Sequence, residues 1–156
     1  MKSSKKLIAA AIAGLALFGS SASHAADSHT VNVSATVTGN CKFVNSGGST
    51  PLTLSIDPTA TTTASGTADV LYRCTNGTSP IFALTSASLG STTAGNLGNG
   101  SETIPYAFSS TNEGAGAGFG AGSDKKLTVT VTVDQTDAAS VSAGTYTDDI
   151  AVTINN

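Results

Sequence analysis

The chain has 156 residues, only 11% of them charged, a formal net charge of −3 at pH 7, 5% aromatic residues and no Trp. So few Lys and Arg argue against nucleic acid or anionic lipid as partner, and so few rings leave no evident stacking platform for sugars. Thr, Ser, Ala and Gly beside Val, Leu and Ile favour β-structure with polar outer faces and short turns over helices.

Lys2, Lys5 and Lys6 precede an apolar run over residues 7–18, and small residues follow up to Ser23-His24-Ala25. This pattern predicts a secretory signal peptide over residues 1–25, cleaved after Ala25 or Ala26. The apolar run is too short to span a bilayer comfortably. Cutting after Ala25 leaves 131 residues (156 − 25), which fits one domain, with four basic residues against ten acidic ones and a net charge of −6.

In residues 28–40, Val31, Val33, Ala35 and Val37 fall on one face and Thr30, Asn32, Ser34, Thr36 and Thr38 on the other, which predicts an extended strand. Whether its apolar side packs in its own molecule or in a neighbour is undecided by alternation alone. Cys41 follows, and Cys74 is the second of the two cysteines. The export route favours a bridge between them over two buried free thiols, and such a bridge contributes roughly 3 to 4 kcal/mol on the chain-entropy account.

Leu52, Leu54 and Ile56 alternate with Thr53 and Ser55 and predict a short strand that Asp57-Pro58 ends, followed by a polar connection over residues 59–66. Ala68, Val70, Tyr72 and Cys74 predict the next strand, Asn76-Gly77 a turn, and residues 80–85 another strand. Residues 86–101 form a long Gly/Ser/Thr connection with room for a hairpin, and Ile104, Tyr106 and Phe108 alternate after it. Residues 112–123, NEGAGAGFGAGS, resemble a flexible loop without the aspartate spacing of a calcium repeat or the Lys-Ser/Thr of a phosphate loop. Leu127, Val129, Val131 and Val133 form the cleanest strand, residues 134–142 loop over, and the last strand runs over residues 145–154 with Tyr146, Ile150, Val152 and Ile154 on one side. Short strands between turn signals, with no helical period after the leader, predict a two-sheet sandwich.

The side chains offer little for catalysis. His29 lies in the front segment, where no fixed Asp or Ser would orient it, and the bridged cysteines leave no Cys/His set for zinc. Asp148 and Asp149 are adjacent on a strand and point to opposite faces, a poor arrangement for paired acid/base work. No enzyme activity, metal or small-molecule cofactor is expected.

Tyr146 behind Ala143-Gly144-Thr145 is similar to the corner tyrosine that opens the sixth strand of immunoglobulin-like domains, although Asp148 stands where an antibody domain has cysteine. Counted that way, a seventh strand is missing after Asn156 and one is spare at the front. The leader, the alternating front strand, the two cysteines and the closing GTYTDDIAVTI over residues 144–154 together resemble the spore coat protein U family, which includes pilins of the archaic chaperone-usher pathway. The resemblance covers nearly all of the chain after the leader, and the closing motif is its most specific part.

The resemblance implies an all-β fold, an incomplete immunoglobulin-like β-sandwich lacking its last strand and completed by donor-strand exchange. Residues 26–40 would be the donor extension and residues 41–156 the pilin-like domain. Val31, Val33, Ala35 and Val37 would plug a neighbour's groove, bordered by the strand carrying Tyr146, Ile150, Val152 and Ile154. Cys41 and Cys74 match the family's disulfide. The implied function is a structural subunit of a surface pilus, exported through the periplasm, with neighbouring pilins, a periplasmic chaperone and an outer-membrane usher as partners. A spore or cyst coat protein and a self-contained secreted binding module are the alternatives. The chain departs from the family pattern in ending Ile154-Asn155-Asn156 rather than on an aromatic residue, and in its glycine-dense segment.

Overall fold

A computed structural model describes residues 26–156; the expected signal peptide lies outside the described residues. Residues 26–40 enter no β-ladder and are exposed, Val31 by 73%, Val33 by 88% and Val37 by 81%. The body over residues 36–156 is all antiparallel β. Its strands are β1 (Cys41–Phe43), β2 (Thr63–Cys74), β3 (Ile81–Ser86), β4 (Ala94–Gly98), β5 (Thr103–Asn112), β6 (Lys125–Asp134) and β7 (Ile150–Asn155). One sheet has the order β1-β2-β6-β5-β4 and the other pairs β3 with β7, giving a β-sandwich.

Period-two patterning explains the core between the sheets. Leu127, Val129, Val131 and Val133 of β6 are all buried, as are Ile104, Tyr106 and Phe108 of β5, while the intervening Thr128, Thr130 and Thr132 of β6 and Pro105 and Ala107 of β5 form the opposite face. From the second sheet, Phe82 meets Tyr72 edge-on with ring centroids 5.0 Å apart, and Leu84 is buried beside it. The Cys41–Cys74 disulfide ties β1 to the end of β2.

Several boundaries differ from the sequence expectation. β2 begins at Thr63, inside the segment read as a polar connection. Gly66 is a strand residue there because Leu54 and Leu52 pack on it; a Cβ at that position would lie 2.8 Å from Leu54 Cδ2. Residues 52–56 keep their alternation, with Leu52, Leu54 and Ile56 half-buried, yet they join no sheet. Within the long connection, β4 pairs with β5, and its Gly95 lies under the Tyr106 ring, where a Cβ would come within 2.4 Å. The last ladder starts only at Ile150, because Thr147 bridges to Gly98 of the other sheet before the chain turns into β7. Tyr146 is therefore a corner residue rather than part of the edge strand.

The glycine-dense segment is not a free loop. Gly116 packs directly on Cys74, its N–H donating to the Thr78 carbonyl and its carbonyl accepting from Gly77 N–H, while Gly118 N–H donates to the Cys74 carbonyl. Tyr72 Oη donates to the Gly114 carbonyl at 2.7 Å, and Arg73 pairs with Asp124. The glycines let the main chain lie flat against the disulfide, which side chains would prevent.

Candidate functional site

Between the sheets the body opens into a cleft of about 1540 Å³. Val70 of β2, Val129 and Val131 of β6 and Ile104 of β5 line it from the large sheet, and Leu52, Leu54, Ile56, Ile150 and Val152 line it elsewhere. These side chains are apolar because the positions face inward along extended backbone, and those of residues 52–56 and of β7 are only half-buried. Ile104, Val129 and Val131 are buried, so the apolar surface left partly open is that of residues 52–56 and β7, a cost the fold carries unless something covers it.

The main chain beside the cleft is partly unpaired among the described residues. β7 pairs with β3 along one edge, and among the described residues nothing pairs with the other. Residues 51–56 make no main-chain hydrogen bond to another described residue; the first beyond them is Asp57 N–H, which donates to Gln135 Oε1 at 2.8 Å. Such groups accept an added strand through ladder hydrogen bonds, each contributing about 0.5 to 1.5 kcal/mol net.

Two carboxylates fix the end of the cleft where β7 starts. Glu102 accepts from Ser142 N–H at 3.0 Å and lies 2.8 Å from Tyr146 Oη, which is itself 2.8 Å from the Ser142 carbonyl oxygen. The hydrogen bond from the Ser142 main chain, then that from Tyr146, holds the Glu102 carboxyl below its ordinary range. Asp148 accepts from Ser86 Oγ at 2.9 Å, Ser88 Oγ at 2.7 Å, Ser88 N–H at 3.1 Å and Tyr106 Oη at 2.7 Å. Burial pushes the Asp148 carboxyl up, but the bonds from Ser88, Tyr106 and Ser86 outweigh it and leave it lowered. Burial, then the bond to Asp148, pushes the Tyr106 hydroxyl up to about 12. Asp148 is thus a structural tie between the sheets, joining Ser86 of β3 to Tyr106 of β5.

A family model for the Spore Coat Protein U domain matches residues 27–153. The chain belongs to the Spore Coat Protein U domain family. No curated protein and no solved structure matches the chain significantly. The Spore Coat Protein U family is a structural one, found in surface pili and spore coats, and includes chaperone-usher pilus subunits that assemble with other subunits. That setting is extracellular.

Of the residues expected from the sequence, Tyr146, Ile150 and Val152 line the cleft; Ile154 packs against the core without lining it. Val31, Val33 and Val37 are exposed, and Ala35 is too. Cys41 and Cys74 are bridged. Residues 52–56 were not foreseen as a border of the cleft; their only sequence signal is alternation ended by Asp57-Pro58. Among the described residues no group of three or more His, Cys, Asp or Glu side chains could hold a metal ion, and no helix is long and apolar enough to cross a membrane.

Proposed function

We propose that the chain is a structural subunit of a surface pilus that polymerises by donor-strand exchange, residues 31–37 of one copy filling the cleft of the next. The observation that carries this reading is the apolar cleft, bordered by unpaired main chain at residues 51–56 and along β7, in a chain whose exposed front segment alternates Val31, Val33, Ala35 and Val37. Lengths agree. Seven residues of extended chain span about 24 Å, and a six-residue strand such as β7 about 20 Å.

Polarity follows from where the front segment leaves the body. Asn156 Nδ2 donates to the Gly39 carbonyl at 2.9 Å, so the extension departs beside the far end of β7. A linear fibre therefore needs the incoming strand to run antiparallel to β7, emerging at the Ile150 end, where its own body then sits. Before assembly the bare cleft needs a cover, the task of a periplasmic chaperone that lends a strand, and an outer-membrane usher would release the growing fibre at the cell surface. The sandwich thereby stands as an immunoglobulin-like domain one strand short.

The decisive experiment moves residues 30–39 behind Asn156 through a short linker and removes the native front. This reading expects a heat-resistant soluble monomer, while simple deletion of residues 30–39 leaves a chain unable to polymerise; a deletion variant that still assembles would overturn it. The family description supports one second reading, a spore or cyst coat structural protein of the same fold. Electron microscopy of producing cells separates filaments from a coat layer.

A further inference from the structure

We infer that the body has electrically unlike ends and that in the assembled fibre the Cys41 end of one copy docks against the acidic opposite end of the next. This inference rests on the fibre reading above and adds a second contact to it, outside the cleft.

The asymmetry follows from strand register. Lys42 is opposite Arg73, Lys125 is opposite Tyr72, and Lys126 is opposite Leu71, so all four basic residues of the body gather where β1, the end of β2 and the start of β6 meet. Asp124 pairs with Arg73, Asp69 with Lys126, and Glu113 accepts from Lys126 N–H, so these four cations face three carboxylates and that end carries about one positive charge. Lys42 lies over the Phe119 ring and Lys125 has no acidic partner among the described residues, so both remain available to a neighbour.

The opposite end holds Asp57, Glu102, Asp134, Asp137, Asp148 and Asp149, and no basic residue. Asp134 is opposite Thr63 at the start of β2, and Asp137 follows it in a short 3-10 turn, Gln135–Ala138. Asp57 is tied there through Gln135, Glu102 sits just before β5, and Asp148 binds Ser86 beside the start of β7. Six carboxylates at one end and a net cation at the other make two copies repel acid end to acid end, while the polar arrangement is the least repulsive one.

Chain length brings the two ends together. Gly39 is held by Asn156 and lies only two residues beyond Val37. With Val37 seated at the mouth of a neighbour's cleft, Gly39 is therefore within about 7 Å of that mouth, and the body's Cys41 end faces the acidic end. The Debye length is about 8 Å at physiological salt and longer at low salt, so charges facing one another across such a seam interact most at low ionic strength. Their work is to select direction and speed docking rather than to supply affinity.

The test refolds the mature chain from denaturant and follows polymerisation by light scattering at about 20 mM and about 500 mM NaCl. Lys42→Gln with Lys125→Gln is expected to slow elongation about tenfold at low salt and less than about twofold at high salt. Thr67→Glu with Ser109→Glu makes the same change in net charge on the exposed outer face of the large sheet. It is expected to slow elongation no more than about twofold at either salt. Lys42→Arg with Lys125→Arg keeps the charge and is expected to keep the wild-type rate. Equal slowing by the charge-matched sheet variant, or a deficit that persists at high salt, overturns the end-to-end contact. Val33→Asp reads the other premise: if it polymerises normally, donor-strand exchange fails and the charged ends are not the cause.

Discussion

Two segments that border the cleft share an apolar period of two and end in opposite situations. β6 lies in the middle of the large sheet, hydrogen-bonded on one edge to β2 and on the other to β5, with Leu127 and Val133 almost fully buried. Residues 52–56 offer Leu52, Leu54 and Ile56 to the same space, half-buried and without a main-chain partner. Alternation determines which side chains turn inward; only a neighbouring strand determines whether the backbone is satisfied. The front segment is the third case, alternating but exposed, and the difference among the three shows that one sequence pattern serves a central strand, an unpaired border and an exposed extension.

The comparison breaks most severely in β6. Val131→Asp would place a carboxylate where the side chain is 6% exposed, costing at least about 4 kcal/mol, and cooperative urea unfolding should be lost. Replacing Cys41 and Cys74 by Ser frees β1 and should cost about 3 to 4 kcal/mol in the same assay. Gly66→Val drives a side chain into Leu54 and should cost about 1 to 3 kcal/mol, with Leu54→Ala on top recovering part of the loss.

Acid sharpens the comparison at the cleft's end. Glu102 and Asp148 are both held below their ordinary values of 4.5 and 3.8, so their contributions are present above those values and fade as pH falls through the depressed ones. Melting temperature should fall as pH drops below 4.5 and 3.8, the ordinary values of the two groups, and Asp148→Asn should flatten that fall. The smallest effect on the body is expected from Val33→Asp in the front segment, within about 0.5 kcal/mol by denaturation, although the same change should abolish fibres seen by electron microscopy.

Strong alternation made β5, β6, the later part of β2 and most of β7 legible, since Val, Leu and Ile every second residue admits few other structures. What stayed hidden has a common cause: small residues that read as turn composition are strand residues under a large neighbour. Gly66 lies beneath Leu54 and hid the start of β2, and Gly95 lies beneath Tyr106 and hid β4. Gly116 misled in the same way, since a residue pressed on Cys74 looks, in sequence, like slack. The cleft was partly legible through Ile150 and Val152, but alternation in residues 52–56 does not display that they border the cleft without joining a sheet. The charge asymmetry was invisible, because Lys42, Arg73, Lys125 and Lys126 are scattered along the chain and become neighbours only through the β1-β2-β6 register.

The disulfide also decides how the molecule bears tension. Traction on the front segment reaches the body at Gly39 and passes into β1, which is only three residues long and would unzip from β2 easily by itself. Its first residue is covalently joined to the last residue of β2, a twelve-residue strand paired with β6 over ten positions. Load applied there therefore bypasses the weakest ladder and spreads into the widest part of the sheet, so the anchorage of the front segment is not the first point to yield.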